Sequence, residues 1–565
     1  MLPTSLTARL ASPLAAATLL LAPTTARAME AQTGPEGQPT RVFLVLGQSN
    51  AEGADAHAGE IDSFPPFVGA GAPQEDAVLW YWLGGVSGPN SGGFIPMQPS
   101  GPNGMFGPEV TFARAVTEAS GGPIAVIKCA KGGTNLAADW DPDATSGEQM
   151  YARALRLARE GLARLAADGI EHQLEAVLWH QGENDMLNSD HVQQYGTRLA
   201  ELVARLNGDL GVPELPWLIG GTSFKCIWGL DYADNMAVLL EQQLSVTEAD
   251  PLVTFVPTSH LAFDVFSGGQ PHYHFGTEGQ LQLGERYAEA YLRSIGLGTD
   301  HEPEGFEGGV PVTAGDTVRV FVLVGQRSME GEGAFVPEIP TVPGFAGLEL
   351  HQQEVLYRYR LGGGVHTARS WAPLGPCDYL ASFGPELSFG RDAARLHEDP
   401  VAILRITDSA AFLVDWIPDH PKSNRPQSAA AIAFIQDALD DLRRRGATPT
   451  LEGLFWLPAE HDAWWTPYRN PYATRLAPVL DSLRAELETP DLRVFLLELR
   501  DDLVWGSTNL DELDTRLEAV AAADPRTWFV RTSELTAAAP APTLGTRGAL
   551  ELGRLMARAY ARTLP

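Results

Sequence analysis

Short, unbroken apolar runs recur along the chain at Val42–Leu46, Ile124–Ile127, Ala176–Trp179 and Trp217–Ile219. Each lacks period-two alternation, which is the mark of a strand buried on both faces. Between them, 150–168 carries apolar residues at helical spacing and stops at Gly169, a residue suited to the position just past a helix end. A second amphipathic pattern covers 279–294. Strand alternating with helix predicts an α/β fold of three layers, a parallel sheet covered on both sides. Ligands then bind beyond the carboxyl ends of the strands. Ser49, Gly132, Gly133 and Gln181 each fall just after a strand run, so the pattern predicts that they share one rim.

The pattern is written twice. RVFLVLGQSNAEG (41–53) is answered by RVFVLVGQRSMEG (319–331), and FGPEVTFARAV (106–116) by FGPELSFGRDA (383–393). LEAVLWHQGEND (174–185) is answered by LEGLFWLPAEHD (451–462), and the helix at 276–295 by 545–564. Blocks kept in order at a spacing of roughly 270–280 residues indicate a tandem domain duplication. The expected division is a first domain over 40–295, a linker over 296–317 rich in Gly, Pro and acid, and a second domain over 318–565.

Composition narrows the partners. Hydrophobic content of 44% and charged content of 20% are ordinary for a globular chain. A formal net charge of −31 repels phosphate backbones and excludes nucleic acid as a partner. Residues 1–28 read as a secretory signal: Arg9 in a short n-region, an apolar stretch, then Ala26-Arg27-Ala28 as the cleavage site. The expected location is therefore secreted or periplasmic, with no membrane association after cleavage. Of the cysteines Cys129, Cys226 and Cys377, the first two can form one bridge, and buried free thiols fit equally well. No Cys/His cluster has zinc spacing, so no metal is expected.

The two copies differ where chemistry is expected. Ser49 becomes Arg327, the Gly132-Gly133 pair becomes Asp408-Ser409, Gln181 becomes Pro458 and His274 becomes Thr543. Phe106-Gly107-Pro108-Glu109, Asp139-Trp140, Trp179 and Leu283-Gly284 are unchanged in copy two. A serine can act as nucleophile when a base takes its proton, and a histidine is the natural base. Backbone N–H groups of a Gly turn and a Gln amide can hold an oxyanion. Counting back from Gly279 and Gly548 selects His274 over His272 as the base. Nucleophile, oxyanion donors and base thus vanish together while the apolar frame stays. Trp80, Tyr81 and Trp82 can stack on sugar rings or simply pack.

Four ordered blocks, Gly47-Gln48-Ser49-Asn50, Gly132-Gly133-Thr134, His180-Gln181-Gly182-Glu183 and His274-Phe275, resemble the SGNH hydrolases. The likeness is to the sialate O-acetylesterase domain and to the acetylxylan esterases of carbohydrate esterase family 6. It covers about 40–295 fully and 318–565 as scaffold only. The resemblance implies tandem flavodoxin-like (SGNH) domains with parallel sheets, the second copy degenerate and non-catalytic. It implies a serine esterase removing acyl, chiefly acetyl, groups from carbohydrate without a cofactor. Ser49 would be nucleophile and His274 base, with the oxyanion held at Ser49, Gly133 or Gly132, and Gln181. Family members often carry an acid three residues before the histidine, where this chain has Pro271. In some members the Glu of the third block takes that part, which points to Glu183. Against this, Glu183 and Asp185 persist as Glu460 and Asp462 in the altered copy. Asp185, Asp264 or no acid at all are the alternatives. The competing functions are a non-catalytic exported glycan-binding protein and a lipase or thioesterase of the same fold.

Overall fold

The computed structural model describes residues 38–222, 232–262, 273–298, 305–307, 309–377, 382–421, 423, 425–457, 460–464, 466–498, 510–533, 535 and 544–564. Residues 1–28, Cys226, Asp264, Pro271, His272, Pro458 and Thr543 lie outside them. Cys129 is a buried free thiol, and burial pushes its pKa up to about 12.

The first half builds one sheet from β1 (Thr40–Gly47), β2 (Gln74–Leu83), β3 (Ile95–Met97), β4 (Ile124–Ala130), β5 (His172–His180), β6 (Trp217–Gly220) and β7 (Val253–Val256). Their spatial order is β3-β2-β4-β1-β5-β6-β7, parallel throughout except for β3 at one edge. Helices α2 (Glu109–Ser120) and α6 (Gly276–Ser294) cover one face. Helices α3 (Met150–Ala167), α4 (Tyr195–Leu210) and α5 (Ala233–Ala249) cover the other. β1 shows why its sequence is unbroken apolar: Val42, Leu44 and Leu46 enter one core, Phe43 and Val45 the other. Burying each such side chain stabilises the fold by about 1.5–3 kcal/mol.

The second half repeats the plan. β8 (Thr317–Gly325), β9 (Gln352–Leu361), β12 (Val401–Thr407), β13 (Thr448–Leu457), β14 (Val494–Leu497) and β15 (Thr527–Val530) run in the order β9-β12-β8-β13-β14-β15. Two short strands, β10 (His366–Thr367) and β11 (Ala372–Leu374), pair antiparallel to β9. Helices α8 (Glu386–Ala394) and α12 (Gly545–Ala561) pack together as α2 and α6 do. The halves touch: Arg286 of α6 lies 2.6 Å from His366, and Ala410 joins the first half's core. No described helix is long and apolar enough to cross a membrane.

The retained Leu-Gly pair has a packing reason. A Cβ on Gly284 would sit 2.0 Å from Thr111 Oγ1 and 2.4 Å from the Pro108 carbonyl, where α6 crosses α2. Gly553 meets Ser388 Oγ at 2.2 Å and the Pro385 carbonyl at 2.1 Å in the same crossing of α12 and α8. Only a bare Cα allows either helix pair to close. Gly284→Ala should cost about 1–3 kcal/mol by overpacking, read as a lower urea midpoint, and Gly553→Ala should do the same in its own half. An unchanged midpoint in both would refute this account.

Candidate active site

The site forms where β1 and β4 end, the point at which the chain leaves β1 for strands on either side. β1 ends at Gly47, with φ +145° and a backbone so close to β5 that a Cβ would lie 2.0 Å from the His180 carbonyl. One turn of helix follows, α1 (Ser49–Glu52), closed by Gly53. Ser49 is its first residue and is buried. Its Oγ and N–H engage no acceptor among the described residues.

The FGPE segment supports this turn from below. Lys128 of β4 and Glu109 form an ion pair at 2.8 Å with both side chains buried. Lys128 Nζ also donates to the Glu52 carbonyl at 3.0 Å, so a cation in the sheet holds the end of α1. In the second half Arg405 and Glu386 make the same pair, and Arg405 donates to the Glu330 carbonyl.

His274 lies just ahead of α6, and its Nδ1 is 2.6 Å from Asp55 Oδ2. This corrects the expectation of Glu183 as the acid partner. Glu183 Oε1 instead accepts from Asn50 Nδ2 at 2.7 Å and lies 3.1 Å from His180 Nε2. Burial pushes the Glu183 carboxyl up, but His180 and the Asn50 amide outweigh it and hold the group below its usual range. The contact persists in the altered copy as Ser328 Oγ to Glu460 at 2.5 Å, so it belongs to the scaffold. Asp185 is likewise structural: it accepts from the Leu136 N–H at 2.7 Å, as Asp462 accepts from Leu413 at 3.2 Å.

Asp55 carried no periodic signal and went unread in the sequence. Its backbone is left-handed, φ +63°, a conformation that Asp tolerates better than most residues with a Cβ. The matching residue, Gly333, is also left-handed at φ +77°. The two copies therefore keep the loop's shape and differ in whether it carries a carboxylate. Comparing residues 48–60 with 326–338 column by column would have found it.

Two proposed oxyanion donors are engaged otherwise. The Gly132 N–H donates to Glu52 Oε2 at 2.7 Å, and burial raises the Glu52 pKa against that bond. Gln181 is fully buried, and its Nε2 faces Asp185 Oδ2 at 2.6 Å, Thr134 O at 3.1 Å and Gln48 Oε1 at 3.2 Å. The Gly133 N–H, in contrast, meets no acceptor among the described residues. Gly132 lies against Ser49: a Cβ on it would be 3.4 Å from Ser49 Cβ.

The strands fix the copy-to-copy register and shift one assignment. Ala130 pairs with Gly47, and Thr407 with Gly325. Gly132 and Gly133 therefore correspond to Ser409 and Ala410, one residue beyond the Asp408-Ser409 expected. The Ser409 N–H donates to Glu330 as that of Gly132 does to Glu52, which confirms the shift. At the serine position Arg327 is buried and held in a two-pronged ion pair by Glu332, at 2.7 and 3.0 Å. By the same registers Trp80 and Trp82 become Arg358 and Arg360. Trp82 is covered by the Arg153 and Arg156 guanidiniums at 4.9 and 4.7 Å, and Trp80 packs on Phe94, so both are engaged in packing.

Burial raises Asp462 to about 7. Unfolded, an aspartate titrates near 3.9. Below about pH 4 both states are protonated. From there to pH 7 the unfolded state loses its proton first, so stability falls by up to ~1.4 kcal/mol per pH unit and then levels. Asp462→Asn removes this fall, and its advantage over wild type should widen from pH 4 to 7 in urea melts. A gap independent of pH would contradict the assignment.

A family model for carbohydrate esterases, described as sialic acid-specific acetylesterase, matches residues 39–293 and again 317–562. A probable carbohydrate esterase of Arabidopsis thaliana is 30% identical over 192 residues, 34% of this chain. The chain spans 64% of that relative's length. A solved Arabidopsis thaliana protein aligns at 25% identity and TM-score 0.34, covering 45% of this chain and 99% of its own. A carbohydrate acetylesterase from Xanthomonas citri aligns at 17% identity and TM-score 0.34, covering 47% and 59%. Matched in both halves and over most of its length, the chain belongs to the sialic acid-specific acetylesterase family of carbohydrate esterases.

Proposed function

We propose that the first half is an exported serine esterase that removes acyl groups, chiefly acetyl, from carbohydrate, and that the second half is catalytically inert. One observation carries this reading. Ser49, the His274–Asp55 pair and the Gly133 N–H stand together in the first half; in the other, Arg327 and Gly333 replace Ser49 and Asp55, and the N–H of Ala410, at the Gly133 position, donates to Asp408.

The reaction we propose uses these residues in turn. Ser49 Oγ attacks the ester carbonyl carbon as its proton passes to His274 Nε2. Asp55 at Nδ1 fixes the ring's orientation and stabilises its charge. The serine–histidine hydrogen bond forms with substrate, since such bonds are often long in free enzymes. The Ser49 and Gly133 N–H groups receive the oxyanion. Collapse breaks the C–O bond to the sugar, and the His274 proton goes to the departing sugar oxygen. Water, deprotonated by His274, then attacks the acyl-serine; the bond to Ser49 Oγ breaks, His274 returns the proton to that oxygen, and acetate leaves. Glu183 and Asn50 keep α1 and the 273–275 segment together, since the Asn50 amide also donates to the Tyr273 carbonyl and its oxygen accepts from the Phe275 N–H.

Hydrolysis of an aryl acetate should fall to background in Ser49→Ala and His274→Ala. Residual turnover in full-length Ser49→Ala would refute inertness of the second half. Acetate release from acetylated xylan, sialic acid esters and short acyl lipids assigns the substrate. Asp55→Gly copies the second half and suits the left-handed backbone. It should lower kcat by ~10²–10⁴ while leaving the melting temperature unchanged or higher, and undiminished kcat would remove Asp55 from the site.

A further inference from the structure

A cavity of 270 Å³ lies between the halves, apart from Ser49 and His274. Thr222, Phe255, Pro257 and Ser259 wall it on the side of β6 and β7, and Arg360 and Arg425 on the other. Arg360 stands where the first half has Trp82. Its guanidinium donates to Gln427 Oε1 at 2.9 Å and to the Gly363 carbonyl at 2.6 Å, both neutral. It has no carboxylate partner among the described residues. Asp408, whose charge acts on Arg360, already accepts from Arg425 at 2.8 and 3.1 Å and from Gln427 at 2.8 Å. Asp415 beside them accepts from the Arg425 N–H, and burial raises it to about 6. Burial holds Arg360 below the usual arginine range, opposed by Asp408 and helped by the like charge of Arg425. The Thr222 hydroxyl is buried and has no hydrogen-bond partner among the described residues. The Phe255 ring lies on Gly221, where a Cβ would be 2.5 Å from Cζ, and with Pro257 it gives an apolar surface.

A part-buried guanidinium satisfied only by amides, at the wall of a cavity, is matched to a planar anion. The volume is slightly under the roughly 300–1,000 Å³ of ordinary ligand pockets, so the guest is about one ring in size. We propose that this inter-domain cavity binds a single carboxylate-bearing sugar ring of the uronic acid type. Arg360 takes the carboxylate, and Phe255 and Pro257 take the ring's apolar face. That the ring is a sugar rests on the esterase reading; the anion selectivity does not.

The test is calorimetric titration of the full chain with glucuronate, glucose and inorganic phosphate. Glucuronate should bind wild type and Ser49→Ala equally, and glucose at least about tenfold more weakly, the scale of one charged hydrogen bond. Arg360→Gln should weaken glucuronate by about tenfold or more. Leu244, 38% exposed at the rim, offers a second variant: Leu244→Trp fills the mouth without touching the core and should also abolish binding. Absence of glucuronate binding, or affinity unchanged in Leu244→Trp, overturns the proposal. Phosphate bound as tightly as glucuronate overturns the sugar assignment. Aryl acetate inactivity with glucuronate binding intact would count against the esterase reading alone.

Discussion

The buried cation on the first half's central sheet, Lys128, is what the rim carrying Ser49 hangs from. It neutralises Glu109 and at the same time caps the Glu52 carbonyl. Burying an ion pair is expensive unless every remaining donor is used, and removing one partner typically costs 3–5 kcal/mol. Here the third proton of the ammonium is spent on α1, so the desolvated pair fixes the turn that carries Ser49. Glu52, held at its backbone by Lys128, then reaches the Gly132 N–H and ties β4's loop to the same point. Glu109 closes the circuit by accepting from the Gly107 N–H at 3.0 Å. The second half substitutes arginine for lysine and keeps every one of these links.

Two kinds of polar residue line this rim. Glu183, Asp185 and Gln181 are buried, polar and adjacent to the rim, as catalytic residues would be. Their bonds run inward, to Asn50, Leu136, Thr134 and Tyr195, and they hold loops in place. Asp55 is half-exposed on a strained loop and spends its carboxylate on a histidine. Direction of hydrogen bonding, not burial, separates the two groups.

The sequence made the central strands legible because burial on both faces leaves unbroken apolar runs, and β1, β4, β5 and β6 were read that way. β2 was not, since Gln74, Glu75 and Asp76 open it and Trp80 to Trp82 are only half-buried. β7 is four residues long, too short for periodicity to speak. Within the site, Ser49 and His274 stood out by residue type and by their exchange for other residues. Asp55 hid because a loop residue's partner is set by tertiary approach over 219 positions, which no local pattern encodes. The Asp-Trp dipeptides match between the copies one register away from the glycine pair, because the second copy is one residue shorter after Leu136, as backbone pairing of β4 and β12 shows.

The Arg327–Glu332 pair has a historical consequence. It fills the serine's former place with two buried, mutually neutralising charges. Changing Arg327 alone takes this guanidinium from Glu332, and changing Glu332 alone takes this carboxylate from Arg327. Each single step back therefore passes through a less stable protein, though the backbone around it still has the shape of a working site. Two buried, paired charges thus make the exchange between the copies at this position a two-residue change rather than one.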